Sequence, residues 1–464
     1  MIFSTVVAYA AALIMNSDKS QRSPGLRRGI LITAIVLNIL PWLLTSGDNL
    51  WLRGFGILRK YFSMIPLLKP LPVAAAMGMA YYTSQVISYL VDCYWNNALP
   101  QINPFKLLSF ICFFPQLTAG PISKYEDLKV IFEKHSFKYQ NLCFGSQRIL
   151  WGFYKKLVIS ERVGILVNSI WNDLNTYSGL WHWIALLIYP VQMYADFSGC
   201  MDIILGSAEI FDIHLAENFN NPFFSKSIRE FWVRWHITLG KWAKDYVMYP
   251  VLKSSIMVKM TKKLRKKMGK AWGSFITSAI ASGLVWVVMG TWHGGVKYIV
   301  GVSIYYWIFI EIGQLFELFE KKNIKLKINK ERFSWRLFQC IRTYIIYAFG
   351  ALFFRAKGIT EAFNYINGLF QMIFSGSLNP EVLFNNSILK TGITYMDLNI
   401  VIIGIVLLII VGILRERYGY ARVWISRQGL VFRWLIWLIL FTIVLIEGKY
   451  GPGFTASEFI YQRF

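Results

Sequence analysis

The sequence predicts an all-α polytopic membrane protein, a single domain over residues 1–464 with roughly ten to twelve transmembrane and re-entrant helices. Three observations carry that prediction. Hydrophobic residues make up 55% of the chain and aromatic residues 17%, while only 16% are charged, against about 25% in a typical soluble domain. Long uncharged runs recur from one end of the chain to the other without the polar linkers that separate soluble domains. The net charge of +24 lies in the short loops between those runs, where the positive-inside bias places Lys and Arg. A nucleic-acid partner is excluded on that ground, and membrane lipids with anionic headgroups are the expected contact.

Taken in order, the N-terminal MIFSTVVAYAAALIM lacks the basic n-region of a cleavable signal peptide and is expected to remain as a short first segment. Residues 17–28 hold Lys19, Arg22, Arg27 and Arg28 against Asp18, which places them in the cytoplasm. Residues 29–47 and 70–91 are uncharged and close to the length of a spanning helix. Residues 107–123 are uncharged but broken by Pro115, Gly120 and Pro121, an interruption a bilayer tolerates only where the backbone is buried in protein or lines a wet cavity.

Residues 147–167 are apolar on one side and carry Arg148, Lys155, Lys156 and Arg162 on the rest, a pattern that predicts an interfacial helix. Residues 174–195 form a long uncharged run that ends at Asp196, an interfacial or a cavity-facing acid. Residues 253–270 read as a cytoplasmic basic loop, in a stretch that has no acid between Asp245 and Glu311. Further spans are expected over 271–296, 298–310, 343–354, 398–414 and 434–446, with a basic loop over 321–336 and a polar Asn- and Ser-rich stretch before the last two. The five scattered cysteines, with no C-x-x-C pair, indicate neither a disulfide framework nor a metal cluster. No internal repeat is visible, which counts against a transporter built from inverted repeats.

Two of the five histidines stand out. His236 lies in FWVRWHITLGKWAKDY, where Glu230, Arg234, Lys241 and Asp245 fall on one helical face and Trp232, Trp235, Leu239 and Trp242 on another. This predicts one amphipathic helix, too short and too charged to span. His293 follows an uncharged run and is bracketed by Gly290, Gly294 and Gly295, which permit a sharp turn and close approach of a substrate. Desolvation there favours a neutral imidazole, the state a general base requires. No G-x-S-x-G, H-E-x-x-H or phosphate-cradling loop occurs. A histidine base in such a place suits transfer of an activated acyl group from a thioester onto a hydroxyl, with no metal needed.

FFPQLTAGPISKYEDL (113–128), MYADFSGCMDI (193–203), ENFNNPFFSKSIREFWVRWHITLGKWAKDY (217–246) and GTWHGG (290–295) resemble, in this order, the motifs of the membrane-bound O-acyltransferase family. The likeness is to its bacterial branch of alginate O-acetyltransferase membrane subunits and teichoic acid D-alanyltransferases. The motif-bearing core covers about residues 71–370. FFRAKGITEAFNYINGLF (353–370) and the terminal FIYQRF resemble the alginate type more. Val233 departs from the two-arginine start of the histidine motif, Val251, Leu252 and Lys253 replace a common L-G-G, and Lys297 stands where an aromatic is common.

The resemblance implies a ring of helices around a central funnel in the cell membrane, with His293 at its centre and His236 as the second motif histidine. Gln116, Asp196, Asn220, Arg234, Trp235, Asp245 and Trp292 are then expected to line the tunnel or support it. It also implies acetyl-CoA as a cytoplasmic donor, with no permanently bound cofactor, and an extracytoplasmic polysaccharide or a partner acetyltransferase as acceptor. D-alanyl transfer from a carrier protein to teichoic acid is the alternative within the family. A transporter or lipid-handling protein with a histidine proton relay is the alternative outside it.

Overall fold

A computed structural model describes residues 1–21, 23–45, 78–117, 119–173, 176–177, 179–294, 296–320, 329–374 and 390–451. The terminal FIYQRF, most of the polar stretch before residue 390 and the first part of the run at 70–91 lie outside the described residues. Among the described residues the secondary structure is helical except for one isolated antiparallel bridge between Phe219 and Trp235.

Six described helices are long and apolar enough to cross a membrane: Pro24–Trp42, Lys270–Trp292, Val296–Phe319, Phe333–Arg355, Tyr395–Tyr418 and Leu430–Glu447. Ile2–Met15 and Met79–Tyr94 are shorter. At Pro104–Ile111 the Asn103 side chain accepts from the Phe105 and Lys106 amides at 2.9 and 3.3 Å, and Pro104 opens the first turn. The helix stops there, as Pro115, Gly120 and Pro121 require. A Cβ on Gly120 would fall 2.1 Å from the Cα of Gln116, so the return of the chain at this point needs glycine.

Around the Leu180–Ile210 helix the sequence reading is corrected twice. First, the helix does not end at Asp196 but runs 31 residues through it. Second, the segment expected at the interface is interior. Residues 139–172 run as one continuous helical rod, with a wider π-helical stretch at Tyr154–Ser160, packed along Leu180–Ile210. Lys155, Lys156 and Arg162 are buried because each meets a carboxylate. Lys155 Nζ lies 2.6 Å from Asp202, Lys156 Nζ 2.5 Å from Asp196 and 2.8 Å from Glu161, and Arg162 Nε 2.8 Å from Asp397.

The two rods come this close because glycines face glycines. A Cβ on Gly152 would stand 2.6 Å from the Gly199 carbonyl, and one on Gly145 2.6 Å from that of Gly206. Each pair is spaced seven residues along its own helix, so the small positions stay on one seam.

The basic stretch at 253–270 is likewise not a loop. Ser255–Met268 is a helix, capped by the Ser254 hydroxyl, that folds back at Gly269 against the start of Lys270–Trp292. The helix ends sort by charge. Lys259 to Lys270, Lys330 to Arg336 and Arg415 to Arg433 flank alternate ends of consecutive spans in chain order, the ends that the positive-inside bias assigns to the cytoplasm. The turns after His293 and Arg355 meet where Lys297 Nζ donates to the Ala356 carbonyl, and the termini at Thr394 and Glu447 meet where Asp397 and Glu447 both face Arg162.

Candidate active site

The single amphipathic helix expected over the His236 motif is two short helices, Ile228–Arg234 and Ile237–Ala243, separated at Trp235 and His236. The neighbouring segment at 218–221 takes the backbone groups that would have continued it. The Asn220 amide donates to the Arg234 carbonyl at 2.9 Å and the Ile237 amide to the Asn218 carbonyl at 3.0 Å. His236 is left in the left-handed region, φ 48° and ψ 52°, a conformation that costs on the order of 1–3 kcal/mol in a non-glycine residue and is sustained only by its surroundings.

Those surroundings fix the ring. His236 Nδ1 stands 3.2 Å from Asn218 Oδ1, which also accepts from the Thr238 amide at 3.1 Å and the Thr238 hydroxyl at 3.0 Å. A backbone N–H can only donate, so the Asn218 atom is its carbonyl oxygen. His236 Nδ1 therefore carries the proton and Nε2 presents its lone pair. Burial pushes the His236 imidazole well below its ordinary pKa, and the nearby His293 pushes the same way.

His293 obeys the same rule with a different partner. It caps the C-terminus of Lys270–Trp292, and its Nδ1 lies 2.7 Å from the Met289 carbonyl oxygen, again leaving Nε2 as the basic nitrogen. Both imidazoles are 2% exposed. Trp292 contacts both, with ring centroids 6.0 Å from His236 and 4.9 Å from His293. Its Nε1 donates to Ser84 Oγ at 3.3 Å, while Trp242 Nε1 donates to the Ser84 carbonyl at 2.9 Å. Tyr81 packs edge-on against Trp292 at 5.3 Å and lies 6.4 Å from His236.

Two cavities meet this assembly. One of about 90 Å³ reaches Thr238, with Ser88, Lys124, Lys241, Trp242 and Tyr246 among its walls. The other, about 50 Å³, reaches Asn218, with Arg148, Lys155, Tyr194 and Asp202 among its walls. The first has room for several ordered waters or part of a slender ligand.

Of the residues expected to line or support a tunnel, Trp292 is in contact with both imidazoles, and Trp235 is buried in an aromatic cluster, edge-on to Phe219 at 5.0 Å and tilted against Tyr347 at 5.2 Å. Gln116 is buried on the returning loop, accepting from Ser123 Oγ at 2.9 Å. That loop docks on the His236 assembly through the Ile122 amide, which donates to Thr238 Oγ1 at 3.2 Å. The charged candidates sit in ion pairs: Asp196 with Lys156, Arg234 with Glu416 and Glu230, and Asp245 with Lys124 at 2.7 Å.

Asn220 is exposed and contributes its backbone. The asparagine that holds the histidine is Asn218, two residues earlier in the same motif. Thr238 was equally open to reading as part of it. Ser84 and Tyr81 had no signal, because they fall within an uncharged run that reads only as a span.

Two buried imidazoles, each with its Nδ1 set against an oxygen and both touching one indole, thus lie together inside a helical membrane protein. Residues 96–350 match the MBOAT, membrane-bound O-acyltransferase family, and the chain belongs to that family. It is 27% identical over 298 residues to the probable alginate O-acetylase AlgI of Pseudomonas syringae pv. tomato, covering 64% of this chain and 52% of that protein. It is 26% identical over 400 residues to the peptidoglycan O-acetyltransferase of Helicobacter pylori, covering 80% and 69%. It is 28% identical over 285 residues to the teichoic acid D-alanyltransferase of Bacillus subtilis, covering 61% and 69%. The chain thus spans about half the length of the alginate O-acetylase it matches.

Proposed function

We propose that this protein transfers an acetyl group from acetyl-CoA, presented at the cytoplasmic end, to a hydroxyl of an extracytoplasmic glycan, through a passage between its helices in which His293 is the general base. The observation that carries this reading is the hydrogen bond from His293 Nδ1 to the Met289 carbonyl, which leaves Nε2 as the basic nitrogen of a buried ring. Nε2 takes the proton of the acceptor hydroxyl as its oxygen attacks the thioester carbonyl carbon. The C–S bond then breaks and the departing thiolate takes the proton from the imidazolium, so that ester and thiol leave in balance. His236, turned by Asn218 into the same tautomer and in contact with Trp292, polarises the thioester or shuttles the thiol proton.

The alginate and peptidoglycan O-acetylating relatives support acetyl as the group carried. The relatives named for teichoic acid keep D-alanyl transfer as the runner-up. The test is ester analysis of the surface glycan from cells carrying the wild type or His293→Ala. Acetate released by mild base from the wild type and absent from the variant is the expected result. Released D-alanine would select the runner-up, and unchanged acetate in the variant would overturn the role of His293.

A further inference from the structure

The two histidines stand on different segments. His236 lies at the break before Ile237–Ala243, and His293 ends Lys270–Trp292. Chemistry that uses both imidazoles needs their separation held to about 0.5 Å. The Nδ1 hydrogen bonds to Asn218 and Met289 fix how each ring is turned, not how far apart the two segments lie. Both segments, however, send an indole to one residue of a third element. Trp242, in the helix after His236, donates to the Ser84 carbonyl at 2.9 Å, and Trp292, next to His293, donates to Ser84 Oγ at 3.3 Å.

Ser84 sits in Met79–Tyr94 and is 3% exposed, and both indoles are buried with it. Its hydroxyl proton goes to the Ala80 carbonyl at 2.8 Å, one turn back, which leaves the oxygen as acceptor for the Trp292 N–H. A serine that bonds back to its own helix slightly weakens that helix, so local stability does not account for the hydroxyl. Tyr81, on the same helix, packs edge-on against Trp292 at 5.3 Å. Because Trp292 touches both imidazoles, any shift of its indole reaches both.

We infer that Ser84 is a positioning residue, which sets the register of the His236 segment against the His293 segment through the two indoles. The inference rests on the proposed function, whose proton transfers use both rings. The two bonds end on different atoms of Ser84, and this makes the role separable by mutation. Ser84→Ala removes the oxygen that accepts from Trp292 but keeps the carbonyl that holds Trp242 on the wall of the cavity of about 90 Å³. The imidazoles then lose their alignment while the cavity keeps its shape.

The first test needs no catalysis. Diethyl pyrocarbonate modifies accessible imidazole nitrogens, and peptide mass spectrometry of the full chain in nanodiscs gives the rate at each histidine. His236 and His293 should react several-fold faster in Ser84→Ala than in the wild type, with the exposed His214 unchanged. The second test is steady-state transfer from radiolabelled acetyl-CoA in cytoplasmic-side-out membrane vesicles that carry the cell's own glycan. Ser84→Ala should lower kcat about three- to tenfold, the worth of one neutral hydrogen bond, with KM for acetyl-CoA unchanged. Trp292→Phe removes the other end of the same bond, so the double variant should be no slower than Trp292→Phe alone. Losses that multiply, a raised KM at unchanged kcat, or wild-type modification rates in Ser84→Ala overturn the inference. Transfer undiminished in His293→Ala overturns the proposed function, and the modification rates still decide the role of Ser84.

Discussion

Asn218 does for His236 what the Met289 carbonyl does for His293: an oxygen that can only accept holds the proton on Nδ1 and leaves Nε2 as the basic nitrogen. The two anchors differ in what mutation can reach. The Met289 carbonyl belongs to the backbone, so the role of His293 is tested at the ring. His293→Ala is expected to lower acyl transfer by at least about a hundredfold, the usual contribution of a general base, while leaving the amount of folded protein in the membrane unchanged. The anchor of His236 is a side chain and is open to substitution. Asn218→Leu removes the acceptor from both His236 and Thr238 and should lower the turnover rate by about tenfold or more with a smaller change in the apparent affinity for the donor thioester. Steady-state assays in proteoliposomes separate the two effects. An unchanged turnover rate in Asn218→Leu would show that His236 needs no fixed tautomer.

Element by element, the close pairing of residues 139–172 with Leu180–Ile210 decides where the buried charges go. With no Cβ at Gly145, Gly152, Gly199 and Gly206, the backbones approach until carbonyls meet glycine Cα atoms, and the basic side chains of one rod reach the acids of the other. Gly152→Leu would drive a branched side chain into the Gly199 carbonyl and Ile203. Overpacking of this kind costs about 1–3 kcal/mol, and the rods must separate to relieve it. A lower midpoint of thermal unfolding in detergent is expected, whereas Gly25→Leu, at a position with open space around it, should leave the midpoint unchanged. An equal shift in both proteins would mean that the glycine seam is not what sets the spacing.

At the scale of the whole molecule, stability and site geometry share one set of buried ion pairs. Arg148 joins Asp202 at 2.9 Å and Glu217 at 2.7 Å, tying the Leu180–Ile210 helix to the segment that carries Asn218. Arg148→Ala leaves Asp202 to Lys155 alone and takes from Glu217 its near partner, with only Arg415 at 3.8 Å remaining, and loss of one partner of a buried pair costs up to about 3–5 kcal/mol. The variant is expected to reach the membrane at a reduced level. Arg148→Ala combined with Glu217→Gln should recover much of that level, because the uncompensated carboxylate is gone while Asp202 keeps Lys155. Quantitative immunoblotting of membrane fractions reads both. A double variant no better than the single one would assign the loss to packing of the arginine stem instead.

The sequence alone determined the medium, the helical class, the positions of most spans and both histidines, because these follow from local quantities: apolar run length, loop charge and rare residues in ordered motifs. The spans over 271–296, 398–414 and 434–446 were legible to within a few residues for that reason. Only the tertiary structure decided that the chain breaks at His236, that Asn218 rather than Asn220 holds it, and that Lys155, Lys156, Arg162 and Asp196 are interior. Each of those outcomes depends on a partner distant in the chain. Helical periodicity sees a charged residue as a solvated face until the opposite charge, brought across a glycine seam, neutralises it.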